Sequence, residues 1–127
     1  MIQLLKLFFH ISVLLLIVLS LYPGSLIGFF LYSDWGRQPD FIENPFGTTI
    51  NHFIAYFYVS SLGLFLHLRK ENFTKILYGL FFLSISLESF QFIIPNRSFQ
   101  LYDLAGNILG VLVAYCMVRI YLFFRKL

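Results

Sequence analysis

The sequence predicts an all-α integral membrane bundle of four transmembrane helices, with the N- and C-termini cytoplasmic. Three observations carry this. Hydrophobic residues make up 59% of the 127 and charged residues only 12%, against roughly a quarter charged in soluble domains. Four apolar runs are each long enough to cross a hydrocarbon core about 30 Å thick as a helix. The basic residues gather at alternate ends of those runs, as in a polytopic protein with basic cytoplasmic loops. β-Barrel spans would be shorter and would alternate in hydrophobicity, and these runs do neither.

The first run covers about residues 4–21 and is ended by Tyr22, Pro23 and Gly24. Lys6 followed by an apolar run imitates a signal peptide, but no A-x-A-like cleavage site follows, so the run reads as an uncleaved span. The stretch from Pro23 to about Asn51 reads as a loop on the outer membrane interface. It mixes Phe29, Phe30, Tyr32, Trp35 and Phe41 with Asp34, Asp40 and Glu43. Its aromatics serve either as interfacial anchors or as a lid over a site used by an amphiphile.

The second run spans about 51–68, with Thr48, Thr49 or Asn51 available as its cap. The third spans about 73–94, ended by Pro95, and contains Glu88. A carboxylate at mid-membrane costs about 3 kcal/mol, whereas each Leu, Ile or Phe returns roughly 0.3–0.6, so insertion still wins. The fourth spans about 101–124. Residues 1–127 thus read as one membrane domain. Lys6, Arg69, Lys70, Lys75, Arg119, Arg125 and Lys126 fall at one set of run ends, and only Arg37 and Arg97 at the other. The positive-inside rule then places both termini in the cytoplasm, and 23–51 and 95–100 outside.

The net charge of +3 comes from dispersed residues that form no basic patch, so no nucleic-acid partner is expected. Cys116 is the only cysteine. It allows no internal disulfide or C-x-x-C motif and reads as a small buried hydrophobe.

Polar residues within spans rarely face lipid, and here they recur at helical spacing. His52, Tyr56, Ser60, Gly63 and His67 form one stripe on the second run. Ser84, Glu88 and Gln91 share a face of the third; Asp103, Gly106, Asn107, Gly110 and Ala114 share one of the fourth. Gly106 and Gly110 are a small-xxx-small pair suited to close helix packing. In the assigned topology His52, Tyr56, Glu88, Gln91, Asp103 and Asn107 all lie at one depth, with Arg97 in the turn just above. They are the candidate ligand-binding or polar-network residues. Arg97 could pair with Asp103 or Glu88 in a purely structural network. His52 with Glu88 or Asp103 could instead act as an acid/base pair or ligate a metal, but no H-E-x-x-H pattern, serine elbow or phosphate loop accompanies them. No metal or cofactor is assigned. His10 and His67 read as interface residues, and Arg119 as a snorkelling side chain.

Two stretches, "NHFIAYF" at Asn51–Phe57 and "LESFQFIIPNRSFQLYDLAGNILG" at Leu87–Gly110, resemble the VanZ-like family of small bacterial membrane proteins. The second carries E-x-x-Q, Pro, Arg and D-x-x-x-N-x-x-G in order. The resemblance places the family's polar positions on His52, Tyr56, Glu88, Gln91, Arg97, Asp103, Asn107 and Gly110. The chain departs where the family commonly has Asp-Lys before the His motif: Thr48 and Thr49 stand there. Phe99 and Gln100 likewise follow Ser98 where an acid is frequent. The resemblance implies a multi-pass protein of the bacterial cytoplasmic membrane. It also implies a link to lowered susceptibility to glycopeptide antibiotics, especially teicoplanin, without a defined reaction. The expected partners are the lipid bilayer and a cell-envelope amphiphile, such as a lipid-linked wall precursor or a lipoglycopeptide, held in an outer-leaflet polar pocket. An intramembrane enzyme acting on a lipid-linked substrate, and an assembly partner using the Gly106/Gly110 face, are the alternatives.

Overall fold

A computed structural model describes residues 2–40, 42–43, 45–68 and 71–125. Phe41 of the outer loop, and Arg69, Lys70 and Lys126 of the charge pattern, lie outside the described residues. Five helices and no strands occur among the described residues: α1 (Ile2–Leu21), α2 (Leu26–Tyr32), α3 (Thr49–Leu66), α4 (Phe73–Phe90) and α5 (Leu101–Phe124). All but α2 are long and apolar enough to cross a membrane. At 1.5 Å per residue the 18 residues of α3 or α4 reach about 27 Å.

Side-chain contacts fix the order of the bundle. At one end the start of α3 meets the start of α5, through Thr49 and Asp103. The end of α4 joins them through Glu88 and Gln100, and the end of α1 through Arg97 and Leu19. At the other end Phe9 meets His67, Phe65 meets Tyr121 and Phe73 meets Tyr115. So α3 and α5 run parallel, and α1 and α4 run against them.

The apolar core is built from Phe9, Tyr56, Val59, Leu64, Leu80, Val111, Ala114 and Val118. Phe9 is the only buried residue of α1, which makes α1 the peripheral helix. Its ring packs where a side chain at Gly63 would have to sit, 2.6 Å from the position of a Cβ. Large apolar side chains such as Tyr78, Phe82, Ile120 and Phe123 stay exposed, the outward face expected of helices solvated by lipid.

The sequence-based elements need three corrections. The expected loop from Pro23 to Asn51 contains α2. Ser25 caps it in extended conformation, accepting a hydrogen bond from the Gly28 amide at 2.9 Å, and Ser33 closes it at φ 55 with its N–H on the Phe29 carbonyl. Trp35 folds the rest back: its carbonyl accepts from the Ser25 amide at 2.7 Å. Its ring stacks on Phe29 at 4.0 Å and lies 5.5 Å from Tyr22. The second correction is to the third span. Helix α4 stops at Phe90, a turn short of Ile94, and residues 91–95 continue as turns and a bend. Third, Cys116 is exposed, not buried. The buried stripe of α5 runs through Asp103, Gly106, Asn107, Gly110, Val111, Ala114 and Val118, and position 116 falls on its back.

Candidate functional site: a polar cluster and cavity at one end of the bundle

The site begins with a close helix approach. A Cβ at Gly106 would lie 2.6 Å from the Thr49 carbonyl oxygen, and one at Gly110 would lie 2.7 Å from that of Phe53 and 2.8 Å from the Phe57 amide nitrogen. Absence of both side chains lets α5 lie directly on the α3 backbone. The Gly106/Gly110 face is therefore covered within the chain by α3.

This approach aligns polar residues across the seam. Thr48 donates its hydroxyl to one Asp103 carboxylate oxygen at 3.0 Å and Thr49 donates to the other at 2.9 Å. Thr48 is the N-cap of α3 by position, but makes no side-chain cap bond, because its hydroxyl is turned to Asp103. Asp103 itself sits in the first turn of α5, where a negative charge is favoured by the helix dipole. Thr48 and Thr49 thus hold Asp103 in place.

His52 lies one turn deeper on α3. Its Nδ1 is 2.9 Å from the Asn107 amide oxygen and must donate, since that oxygen only accepts. Its Nε2 faces Asp103 Oδ2 at 3.5 Å. The Asn107 amide nitrogen donates to the Ser84 carbonyl and to Glu88 Oε2, each at 3.4 Å. The other Glu88 oxygen accepts from the Gln100 amide at 3.2 Å, at the N-cap of α5. Glu88 and Asn107 are each 1% exposed. Thr48, Thr49, Asp103, His52, Asn107, Glu88 and Gln100 therefore form one connected lock between α3, α4 and α5.

Arg97 stands apart from this lock. It pairs with no carboxylate among the described residues. Its Nε donates to the Tyr22 carbonyl at 3.1 Å and its Nη2 to Leu19 at 2.6 Å. The last carbonyls of a helix have no intrahelical partner and carry the negative end of its dipole. The free end of α1 thus attracts the guanidinium, while the two acids already have donors of their own. Burial lowers the pKa of Arg97 from its ordinary value, and the charge of Glu88 pushes it back up; an arginine remains charged throughout.

Beside the lock lies a cavity of about 230 Å³, bounded by α1, α2, the 38–39 segment, α3 and the turn after α4. Leu16, Leu19, Leu26, Ile27, Pro39 and Ala55 give it apolar walls. Ser20, Ser25, Gln38, Asn51, His52, Tyr56, Gln91 and Arg97 give it polar ones. Asn51 ties its cover to α3 by donating to the Pro39 carbonyl at 2.7 Å. Tyr56 is 1% exposed and its hydroxyl has no hydrogen-bond partner among the described residues. Gln91 is buried, and its side chain makes no hydrogen bond among the described residues.

The structure thus separates the seven predicted polar residues into two sets. Inside the lock, Asn107 donates to Glu88, and Asp103 accepts from Thr48 and Thr49. Tyr56, Gln91 and Arg97 face the cavity, and His52 bridges the two. At the far end, His67 has its Nδ1 on the Gly63 carbonyl, and no His, Cys, Asp and Glu group of metal-binding size occurs among the described residues. Sequence reasoning missed Ser20, Ser25, Gln38 and Pro39. A serine before an apolar run is a capping signal that could have revealed Ser25 and α2; the others depend on how the covering segment folds.

Fold and site define a small multi-pass helical membrane protein with a polar cluster and cavity at one end. The chain belongs to the VanZ-like family: the family model described as VanZ/LLP1 matches residues 6–124. Neither a search of curated proteins nor one of solved structures returns a significant match.

Proposed function

We propose that the cavity binds a cell-envelope amphiphile, with its polar head against Arg97, Gln91, Tyr56 and His52 and its apolar part against α1 and α2. The observation that carries this reading is the cavity itself. It joins apolar walls to polar side chains, Arg97 and Gln91 among them, the composition of a ligand site. The distribution of basic residues supports an outward-facing cavity and cytoplasmic termini. A phosphatase fused to Leu127 should then be inactive; an active fusion would reverse the orientation. The family connection makes a lipid-linked wall precursor or a lipoglycopeptide such as teicoplanin the natural occupant.

One feature counts against the assembly alternative. The Gly106/Gly110 face is occupied by α3 and offers little to an external helix.

The test uses Ala55→Phe, which fills cavity space without removing a hydrogen bond. Full-length protein purified from native membranes should carry an envelope amphiphile detectable by mass spectrometry, and Ala55→Phe should carry much less of it. A folded Ala55→Phe protein that retains the same lipid, or the same effect on teicoplanin susceptibility, would sink the reading.

A further inference from the structure

We propose that the head group held by this cavity is a phosphate, with Arg97 as its principal charge partner. The proposal rests on the amphiphile reading and adds the chemistry of the head. Fourteen of the described residues line the cavity and none of these is an Asp or Glu. The only permanent charge among them is Arg97. A guanidinium has five N–H donors. Two are engaged by the α1 carbonyls, so three N–H donors remain, with no carboxylate paired to them among the described residues.

The neighbouring groups are donors as well. Ser25 accepts from Gly28 through its oxygen and keeps its proton. Gln91 keeps its amide N–H groups. Tyr56 also lines the cavity, but its hydroxyl is sealed within the bundle, with no hydrogen-bond partner among the described residues. Side chains able to donate surround one cation, and no acid stands among the described lining residues, a setting that suits an oxyanion. The free guanidinium edge matches the paired oxygens of a phosphate. The apolar residues Leu16 and Leu26 line the same cavity and suit the first carbons of a lipid chain.

The same detergent-solubilised full-length protein is titrated with phosphatidic acid, diacylglycerol of the same chains, a fatty acid and inorganic phosphate, with binding read by native mass spectrometry. Phosphatidic acid should bind roughly tenfold or more tighter than diacylglycerol, with inorganic phosphate far weaker. Arg97→Gln should remove roughly ten- to a hundredfold of the phosphatidic acid affinity. Because Arg97 also holds α1, Gln91→Leu is the companion variant. The Gln91 side chain lines the cavity and makes no hydrogen bond among the described residues, so the change should not lower thermal stability while weakening phosphatidic acid binding roughly two- to tenfold.

Equal binding of phosphatidic acid and diacylglycerol would overturn the phosphate proposal and leave the amphiphile reading standing. Fatty acid binding as tight as phosphatidic acid, and equally dependent on Arg97, would overturn it in favour of a carboxylate. Inorganic phosphate binding as tightly as the lipid, or no lipid binding at all, would remove the amphiphile reading as well. Unaltered phosphatidic acid affinity in both variants would also overturn the assignment of the head to these residues.

Discussion

Gly110→Leu is expected to prevent stable assembly of the bundle. A Cβ at position 110 meets the Phe53 carbonyl oxygen at 2.7 Å, the Phe57 amide nitrogen at 2.8 Å and Tyr56 Cβ at 3.0 Å. Two of these atoms are helical backbone and cannot rotate away, so α5 must move off α3. Asp103 lies two turns from Gly110 along the same face, and its bonds to Thr48 and Thr49 are 3.0 and 2.9 Å long. A shift of an ångström at Gly110 therefore also weakens the polar lock. Overpacking alone costs about 1–3 kcal/mol; the added loss of buried hydrogen bonds takes the total to about 3 kcal/mol or more. Titration of helical content with sodium dodecyl sulfate in mixed micelles measures it. Gly79→Leu is the control: nothing lies within 4 Å of a Cβ there, and the change should fall within about 0.5 kcal/mol. Equal midpoints for the two variants would show that the close α3–α5 seam is not what holds the bundle.

What the sequence displays well is periodicity. The four spans are apolar for as many residues as a bilayer is thick, and the stripes through His52 and Tyr56, Ser84 and Glu88, and Asp103 and Asn107 follow from helical spacing alone. Less visible is what depends on unpaired backbone. Arg97 has two acids nearby in sequence, but the structure gives it the carbonyls of Leu19 and Tyr22, far earlier in the chain. No side-chain pattern announces a helix end as an acceptor. Helix α2 is hidden for a related reason: it is seven residues long and is fixed by Trp35 packing on Phe29 and by the Ser25–Trp35 backbone bond, neither of which has a period. Cys116 illustrates the reverse error. Apolarity alone suggests burial in a soluble protein, whereas on a lipid-facing helix it is equally compatible with the outside. Thr48 and Thr49, conspicuous only as departures from a family pattern, turn out to be the two donors that hold Asp103.

Glu88→Gln should cost about 1–3 kcal/mol of stability even though it preserves shape. Both carboxylate oxygens accept: one from the Gln100 amide, the other from the Asn107 side-chain nitrogen, with His52 Nδ1 3.7 Å away. A glutamine amide has one accepting oxygen and one donating nitrogen, so either orientation sets a donor against a donor. The surroundings cannot adjust. Turning Asn107 over would present its oxygen to the new amide nitrogen, and His52 could follow by accepting at Nδ1. But the Asn107 oxygen would then face the Ser84 carbonyl, which lies 3.4 Å from the donating nitrogen in the native arrangement, and a backbone carbonyl cannot become a donor. The mismatch is therefore trapped, at the cost of one unpaired buried polar group. Glu88→Leu leaves both the Gln100 N–H and the Asn107 nitrogen without their carboxylate partner and should cost more, about 3 kcal/mol. Glu88 does not line the cavity, and its charge acts on Arg97, so Glu88→Gln protein that is still folded should bind phosphatidic acid at least as tightly as wild type, while its unfolding midpoint falls. Thermal unfolding and lipid titration of the same sample separate the two effects. Lost binding with unchanged stability would mean that Glu88 contacts the ligand, and that the division between a structural lock and an open cavity is wrong.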